Sequence, residues 1–212
     1  MTDFRLRVAV IDCGLGNLHS VHKALAAVAS RAEVVVTGDP AQIAAADRVV
    51  FPGVGAIRDC MACIRAGGFG EVVRKAIAEK PVLGICLGLQ ALFAHSEENG
   101  GVAGLGILPG EVRRFRAPPG ERLKVPHMGW NRVHRTRDHP MWRGIDQDEY
   151  FYFVHSYHAV TEPEWVAATC RHGVEFPAAV AQGNLFAVQF HPEKSQRAGL
   201  QLLKNFIQWR GE

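Results

Sequence analysis

The chain has 212 residues, of which 48% are hydrophobic and 21% are charged, and its formal net charge is +3. This composition is typical of a globular protein with one good core, and so small a charge gives no support for nucleic-acid binding. The sequence opens directly into a strand pattern without the apolar core of a signal peptide, and no apolar run is long enough to cross a membrane.

Strands and helices alternate through the first half of the chain. Short apolar runs predict strands at Leu6–Ile11, Glu33–Val36, Arg48–Phe51 and Pro81–Leu83. The apolar spacing between and after them predicts helices at Asn17–Ser30, Ala41–Ala46, Ala56–Lys80 (broken near Gly67) and Ala91–His95. Such alternation indicates a mostly parallel sheet that is covered by helices on both faces.

The second half is richer in β-structure, and antiparallel hairpins are expected there. Strands are predicted at Leu105–Leu108, Val112–Phe115, Trp130–His134, Tyr150–Val154, Val166–Thr169, Ala178–Val180 and Phe186–Phe190. A last helix is predicted at Ser195–Trp209. Because no linker or repeat interrupts the chain, we predict one α/β domain over residues 1–212. Its mostly parallel central sheet is flanked by helices, with an added antiparallel, β-rich region in the C-terminal half.

A glycine-flanked cysteine lies where the fourth strand meets its helix, in the segment Gly84–Gln90. Glycines two residues before and after Cys86 give the spacing of a nucleophile elbow, a turn so sharp that only small neighbours fit. A cysteine at a helix N-terminus is also favoured as the thiolate. The alternative is a core strand that ends in a glycine turn with an incidental cysteine.

Two other glycine turns follow predicted strands. The loop Asp12–Asn17 does not fit a dinucleotide fingerprint, since His19 stands where a third glycine is required. It is either a plain turn or a site loop at the carboxyl edge of the sheet. The turn Pro52–Gly55 could aim a backbone N–H of Gly53, Val54 or Gly55, together with that of Leu87, at an oxyanion next to Cys86. A plain turn is again the alternative.

A histidine and a glutamate flank a proline after the last predicted strand, as His191-Pro192-Glu193. Pro192 disfavours a regular helix, and in an extended segment residues two apart point the same way. Glu193 can therefore orient the imidazole of His191 as a base. Taken alone, a surface ion pair would explain them, but with the elbow they predict a Cys86–His191–Glu193 triad.

The remaining cysteines and histidines do not form a recognisable metal site. Cys60 and Cys63 have no second pair and lie in a predicted helix, where packing explains them better than metal or redox chemistry. No two histidines have a helical ligand spacing with a supporting acid, so we predict no metal and no cofactor. The five unevenly spaced cysteines favour reduced thiols and a cytoplasmic protein.

Together these motifs resemble class I (triad-type) glutamine amidotransferases, and within them the glutaminase branch of imidazole glycerol phosphate synthases. The elbow and His-Pro-Glu are typical of the whole superfamily. The branch is indicated by the segments Pro126–Asn131 and His191–Ser195, and Tyr152–Tyr157 also matches. Cys13 departs from the family, which usually has tyrosine there, and this affects only the packing of its loop.

The resemblance implies that Cys86 attacks the side-chain amide of glutamine, with His191 as the proton carrier. It implies that Gln90, His155, Ser156 and Tyr157 surround the glutamine, although packing between a hairpin and the elbow helix would also explain them. It further implies a heterodimer with a (β/α)8-barrel cyclase that receives the ammonia. The matching interface positions are Asn17, Pro126, Met128, Trp130, Tyr152 and Lys194, and for Met128 and Trp130 ordinary core packing is the alternative.

Three other functions share parts of this pattern. The first is the glutaminase of another amidotransferase, acting in chorismate-derived or pyridoxal pathways. The second is a free-standing thiol hydrolase that works at full rate alone. The third is a binding module that keeps the fold without the chemistry.

Overall fold

The computed structural model describes residues 6–14, 18–30, 32–120 and 122–211. The first part of the chain forms β1 (Leu6–Ile11), α1 (Leu18–Val28), β2 (Ala32–Thr37), α2 (Pro40–Ala45), β3 (Arg48–Gly53), α3 (Ile57–Ala66), α4 (Phe69–Glu79), β4 (Val82–Cys86) and α5 (Leu87–Gln90). The second part forms β5 (Phe93–Ser96), β6 (Val102–Ala103), β7 (Leu108–Arg114), β8 (His127–Arg135), β9 (Glu149–His155), β10 (Tyr157–Val160), β11 (Val166–His172), β12 (Val174–Gln182), β13 (Leu185–Val188) and α6 (Gln196–Gln208). In the part of the chain that is described, no helix is both long and apolar enough to span a membrane.

One large sheet holds nine of these strands, in the order β2-β1-β3-β4-β13-β12-β11-β8-β9. The strands from β2 to β13 pair in parallel, and those from β13 to β9 pair antiparallel. The predicted fold class is confirmed, with the antiparallel region continuing the parallel sheet. A second, four-stranded sheet has the order β10-β7-β5-β6.

The central parallel strands are covered on both faces. All residues of β3, β4 and β13 are buried, as expected for parallel strands between two helical layers. Successive side chains of β3 alternate between two cores, since Val50 belongs to one hydrophobic cluster and Val49 and Phe51 to the other. This burial fixes the carboxyl ends of β3, β4 and β13 next to one another.

Two local predictions were wrong, and two strands were missed, one of them the short strand β6. The stretch Ala91–His95 is not a helix, because β5 begins at Phe93 and pairs with β6 and β7. The strand predicted at Leu105–Leu108 begins only at Leu108, since the preceding residues hydrogen-bond as a loop to Ala91 and Leu92. Strand β10 was not predicted. A buried apolar run has no periodicity that separates helix from strand, so distant pairing partners decided these segments.

Candidate active site

Cys86 ends β4 and caps the short helix α5, with 7% of its surface exposed. Its φ of 53° and ψ of −106° are unusual for a side-chain-bearing residue and give the strained strand-to-helix turn expected of a nucleophile elbow. The flanking glycines have a steric reason. A Cβ at Gly88 would collide with the carbonyl oxygen of Phe51, and a Cβ at Gly84 would lie 2.8 Å from that of Ala187.

His191 follows β13, the strand that pairs in parallel with β4, and its ring is held by Glu193. The Nδ1 atom of His191 lies 2.8 Å from Oε1 of Glu193, and each side chain is only 3% exposed. The backbone is anchored to β9, because the N–H of His191 donates to the carbonyl of Tyr152 at 2.9 Å. The hydroxyl of Ser195 donates to the carbonyl of His191 at 2.6 Å and accepts from the N–H of Tyr152 at 3.0 Å.

His191 and Cys86 both line the cavity described below, and Cys86 influences the pKa of the imidazole. Burial alone would lower the pKa of His191, but the charge of the Cys86 thiolate, together with hydrogen bonds to Cys86 and Glu193, outweighs burial and raises the pKa to about 10. The site therefore favours an imidazolium next to the sulfur. Such a group can give a proton to a leaving amine.

Two buried amides connect the sulfur to the neighbouring β10. Gln189, which is fully buried, places its Nε2 3.6 Å from the Sγ of Cys86. The Nε2 of Gln90 donates to Oε1 of Gln189 and to the carbonyl of Tyr157, both at 2.9 Å. Gln90 and Gln189 thus connect the surroundings of Cys86 to the carbonyl of Tyr157.

A cavity of about 420 Å³ opens over Cys86. Its lining contains most of the residues predicted around the substrate, namely Val54, Gly55, Leu87, Gln90, His155, Ser156 and Tyr157. Gly53 is not part of the lining but lies opposite Cys86 in the β3–β4 register, and a Cβ there would approach that of Leu87 to 2.9 Å. Glu98, Pro126, Val154, His191 and Lys194 complete the wall.

Four of the predicted interface residues form a mostly apolar surface next to this cavity. Met128 and Trp130 on β8 are 61% and 45% exposed, so core packing does not explain them. Trp130 lies opposite Tyr152 of β9, with ring centroids 6.0 Å apart. The ammonium of Lys194 lies 5.9 Å from the centroid of the Tyr152 ring. We call these four residues the β8–β9 face. Pro126 lies at the cavity, and Asn17 is outside the described residues.

Within the described residues, no group of three or more His, Cys, Asp or Glu side chains could hold a metal ion. Cys60 and Cys63 lie on α3, where Cys60 is 2% exposed. Burial raises the pKa of the Cys60 thiol to about 12, with Cys63 adding to the shift. This environment suits packing better than nucleophilic chemistry.

Comparison with known proteins agrees with this geometry. The family model for class-I glutamine amidotransferases matches residues 9–209. The chain belongs to the class-I glutamine amidotransferase family. It is 59% identical over 208 residues to the imidazole glycerol phosphate synthase subunit HisH of Methylococcus capsulatus, covering 95% of this chain and 96% of that one. It is 57% identical over 205 residues to the subunit of the same name from Acinetobacter baylyi, covering 96% and 98%.

The fold is also found in a crystal structure of a glutamine amidotransferase. The two structures agree with a TM-score of 0.69 at 20% sequence identity, covering 95% of this chain and 97% of that one. At that identity the likeness supports the fold alone.

The sequence analysis overlooked two residues of the site, namely Gln189 next to the sulfur of Cys86 and Glu98 in the cavity lining. Gln189 carried a signal, because it is the polar member of the otherwise apolar run Phe186–Phe190. Glu98 carried none, since it lies in a short loop helix between β5 and β6. Its Oε2 accepts a hydrogen bond from the N–H of Ile57 at 3.1 Å, which anchors the carboxylate at the N-terminus of α3.

Proposed function

We propose that this chain is the glutaminase subunit of an imidazole glycerol phosphate synthase, acting in histidine biosynthesis. It hydrolyses glutamine to glutamate and ammonia, and it delivers the ammonia to a cyclase subunit. The observation that carries the proposal is the buried group of Cys86, His191 and Glu193 at one cavity, in a chain 59% identical to a HisH subunit. We propose that residues 1–212 act as one domain, and the free thiols favour a cytoplasmic setting.

The proposed reaction has two stages. The thiolate of Cys86 attacks the side-chain amide carbon of glutamine, and the resulting oxyanion is held by the N–H of Leu87 and one N–H from Gly53, Val54 or Gly55. The imidazolium of His191 gives its proton to the leaving nitrogen, so that ammonia departs and a glutamyl thioester remains. Water, deprotonated by His191, then attacks the thioester and releases glutamate and the thiolate. No cofactor is required by these steps.

Glu98 supplies a negative charge for binding the α-ammonium group of free glutamine. Among the described residues of the lining, it is the carboxylate side chain, and a carboxylate is the natural partner of the α-ammonium group of glutamine. Gln90, His155, Ser156 and Tyr157 enclose the rest of the substrate. The N–H of Ile57 holds Glu98 in place.

Replacing Glu98 with glutamine is expected to raise the KM for glutamine by about 10- to 100-fold with little change in kcat, since a hydrogen bond to a charged group contributes about 1.5–3 kcal/mol. The amide oxygen can still accept from Ile57, so the loop should keep its position. The matched control is Glu97→Gln, because Glu97 pairs with Arg116 outside the cavity. Equal KM values for the two variants would contradict this role.

We propose a (β/α)8-barrel cyclase as the partner in a heterodimer. The family model matches residues 9–209, and the curated relatives are named as subunits of a synthase. Ammonia released into water would be mostly protonated and lost as a nucleophile, so direct transfer is favoured. The β8–β9 face lies beside the cavity and exposes Met128 and Trp130, which suit an interface core. Asn17 and Pro126 are proposed to lie at the same interface.

Alanine at Trp130 is expected to weaken binding of the cyclase by at least about 10-fold, because a central aromatic anchor often contributes 2 kcal/mol or more. Met128→Ala should act in the same direction. Val36→Ala is the control, since Val36 is an exposed apolar residue on β2 at the opposite edge of the sheet. Binding is measured by titration calorimetry. Wild-type affinity for the cyclase in Trp130→Ala would show that the β8–β9 face is not part of the interface.

Ammonia release from glutamine tests the function directly. We expect a low rate for the chain alone and a higher rate with the purified cyclase and its nucleotide ligand. A full rate without the cyclase would instead support a free-standing thiol hydrolase. Co-purification with a chorismate-binding enzyme would assign the chain to another amidotransferase.

A further inference from the structure

A chain of hydrogen bonds runs from β8 to the wall of the cavity. The Nδ2 of Asn131 lies 3.0 Å from Nε2 of His127, whose Nδ1 lies 2.9 Å from Nε2 of His155. The Nδ1 of His155 lies 2.7 Å from the carbonyl oxygen of Tyr157. Asn131 and His127 are not among the residues that line the cavity, whereas His155 and Tyr157 are.

The direction of every bond in this chain can be assigned. A carbonyl oxygen only accepts, so Nδ1 of His155 carries a hydrogen, and a neutral His155 must accept at Nε2. His127 therefore donates from Nδ1 and accepts at Nε2 from Asn131. The amide of Asn131 is itself fixed, because its Nδ2 donates to the carbonyl of Arg171 at 2.9 Å and its Oδ1 accepts from the N–H of Arg132 at 2.8 Å.

Both rings are neutral and firmly packed. Burial lowers the pKa of His155 to about 3 and, with the nearby His172, lowers that of His127 to about 4. The His127 ring stacks between those of His172 and Phe153, at centroid distances of 4.3 and 4.8 Å. Neither ring can easily change its orientation, so the tautomers are set by their hydrogen bonds.

The carbonyl of Tyr157 joins this chain to Cys86. It accepts from His155 on one side and from Gln90 on the other, so both of its lone pairs are used and its peptide is held in place. Gln90 in turn contacts Gln189, which contacts the sulfur of Cys86. The position of one carbonyl therefore affects both the cavity wall and the surroundings of Cys86.

We propose that Asn131 and His127 are positioning residues for glutamine. They hold His155 as the Nδ1–H tautomer, and His155 fixes the carbonyl of Tyr157 at the cavity. This inference rests on the proposed function, because it takes the cavity to be the glutamine site. On β8 these two residues alternate with Met128 and Trp130, so the strand presents the proposed partner surface on one face and the positioning residues on the other.

The test replaces the donor in the hydrogen bond from Asn131 to His127 with an acceptor. In Asn131→Asp the carboxylate can only accept from Nε2 of His127, so a neutral His127 can no longer donate to His155. Two-dimensional ¹⁵N NMR of the imidazoles should show Nδ1–H in both rings of the wild type and a changed protonation pattern in the variant. The KM for glutamine in the cyclase complex should rise about 10-fold with a smaller change in kcat, the loss expected for one misplaced hydrogen-bonding group.

A matched control makes the same kind of change at Gln147, which precedes β9 and contacts the exposed end of β8. The Nε2 of Gln147 lies 3.0 Å from Nδ1 of His134 on the exposed part of the strand, and Gln147→Glu should leave the KM unchanged. His127→Phe keeps an aromatic ring but removes the donor, and it should raise the KM as Asn131→Asp does.

Two results would overturn the proposal. One is an Nε2–H tautomer for His155 in the wild type. The other is a KM in Asn131→Asp and His127→Phe equal to that of Gln147→Glu. The NMR measurement needs no glutamine turnover, so it judges the hydrogen-bond chain even if the wild type proves inactive. An inactive wild-type complex would contradict the proposed function, whereas normal KM values in the variants would contradict only the positioning role.

Discussion

Cys86→Ala is expected to lower kcat for glutamine hydrolysis by at least about 10⁴-fold, because the thioester forms on the sulfur of Cys86. Cys86→Ser should be nearly as inactive, since a hydroxyl proton is far harder to remove than a thiol proton. The same substitution should lower the pKa of His191, because the thiolate charge and a hydrogen bond to Cys86 both raise it. Ammonia release and NMR titration of His191 measure the two effects.

Loss of activity must be separated from loss of structure. Cys63→Ser is the control, since Cys63 lies on α3 outside the cavity lining. The Cys86→Ala chain should still bind the cyclase with wild-type affinity, which would exclude a purely structural failure. Retained glutamine turnover in either Cys86 variant would show that the nucleophile is another group.

Glu193→Gln is expected to reduce kcat by up to about 10⁴-fold, the loss seen when the acid behind a catalytic histidine is replaced by its amide. An amide oxygen can still accept from Nδ1 of His191, so the ring should stay in place while the charge is lost. The pKa of His191 should then fall, because Glu193 raises it by hydrogen bonding and by charge. The imidazolium of His191, which protonates the leaving nitrogen, therefore loses its own proton at a lower pH than in the wild type. The alkaline limb of the kcat/KM profile should shift to lower pH.

The variant should also be less stable than the wild type. Within the described residues, Oε2 of Glu193 is buried without a hydrogen-bond partner, so the amide nitrogen would take an unsatisfied position and cost about 1–3 kcal/mol. Glu175→Gln on the exposed part of β12 is the control for stability and rate. An unchanged pH profile in Glu193→Gln would show that Glu193 does not affect the pKa of His191.

The sequence was sufficient wherever a local pattern has a local cause. The strands that end at Ile11, Gly53 and Cys86 are dense apolar runs, and their burial between two layers explains why they were found. The elbow was recognisable because its glycines have a fixed spacing around Cys86, although the contacts that require them come from Phe51 and Ala187 on neighbouring strands. His191 and Glu193 were recognisable because they flank a proline, although the structure forms a 3-10 turn at Pro192–Lys194 and not the extended segment expected.

The parts that escaped depend on residues far apart in the chain. The strand at Phe93 exists because β6 and β7 pair with it, which no short window contains. Glu98 reaches the cavity through its contact with the N-terminus of α3. The role proposed for Asn131 depends on partners from β9 and β11. Asn131 belongs to a motif that the sequence shows, but only the folded arrangement suggests what its amide does.

The position of β13 also decides when the site can exist. This strand is the last of the chain, yet it lies between β4 and β12 and links the parallel half of the sheet to the antiparallel half. Until β13 pairs with β4, His191 is not held next to Cys86. During synthesis an unfinished chain would therefore carry the thiol without its proton carrier, and glutamine would be safe from premature hydrolysis. Reactivity therefore requires the closed sheet and is not a property of the elbow alone.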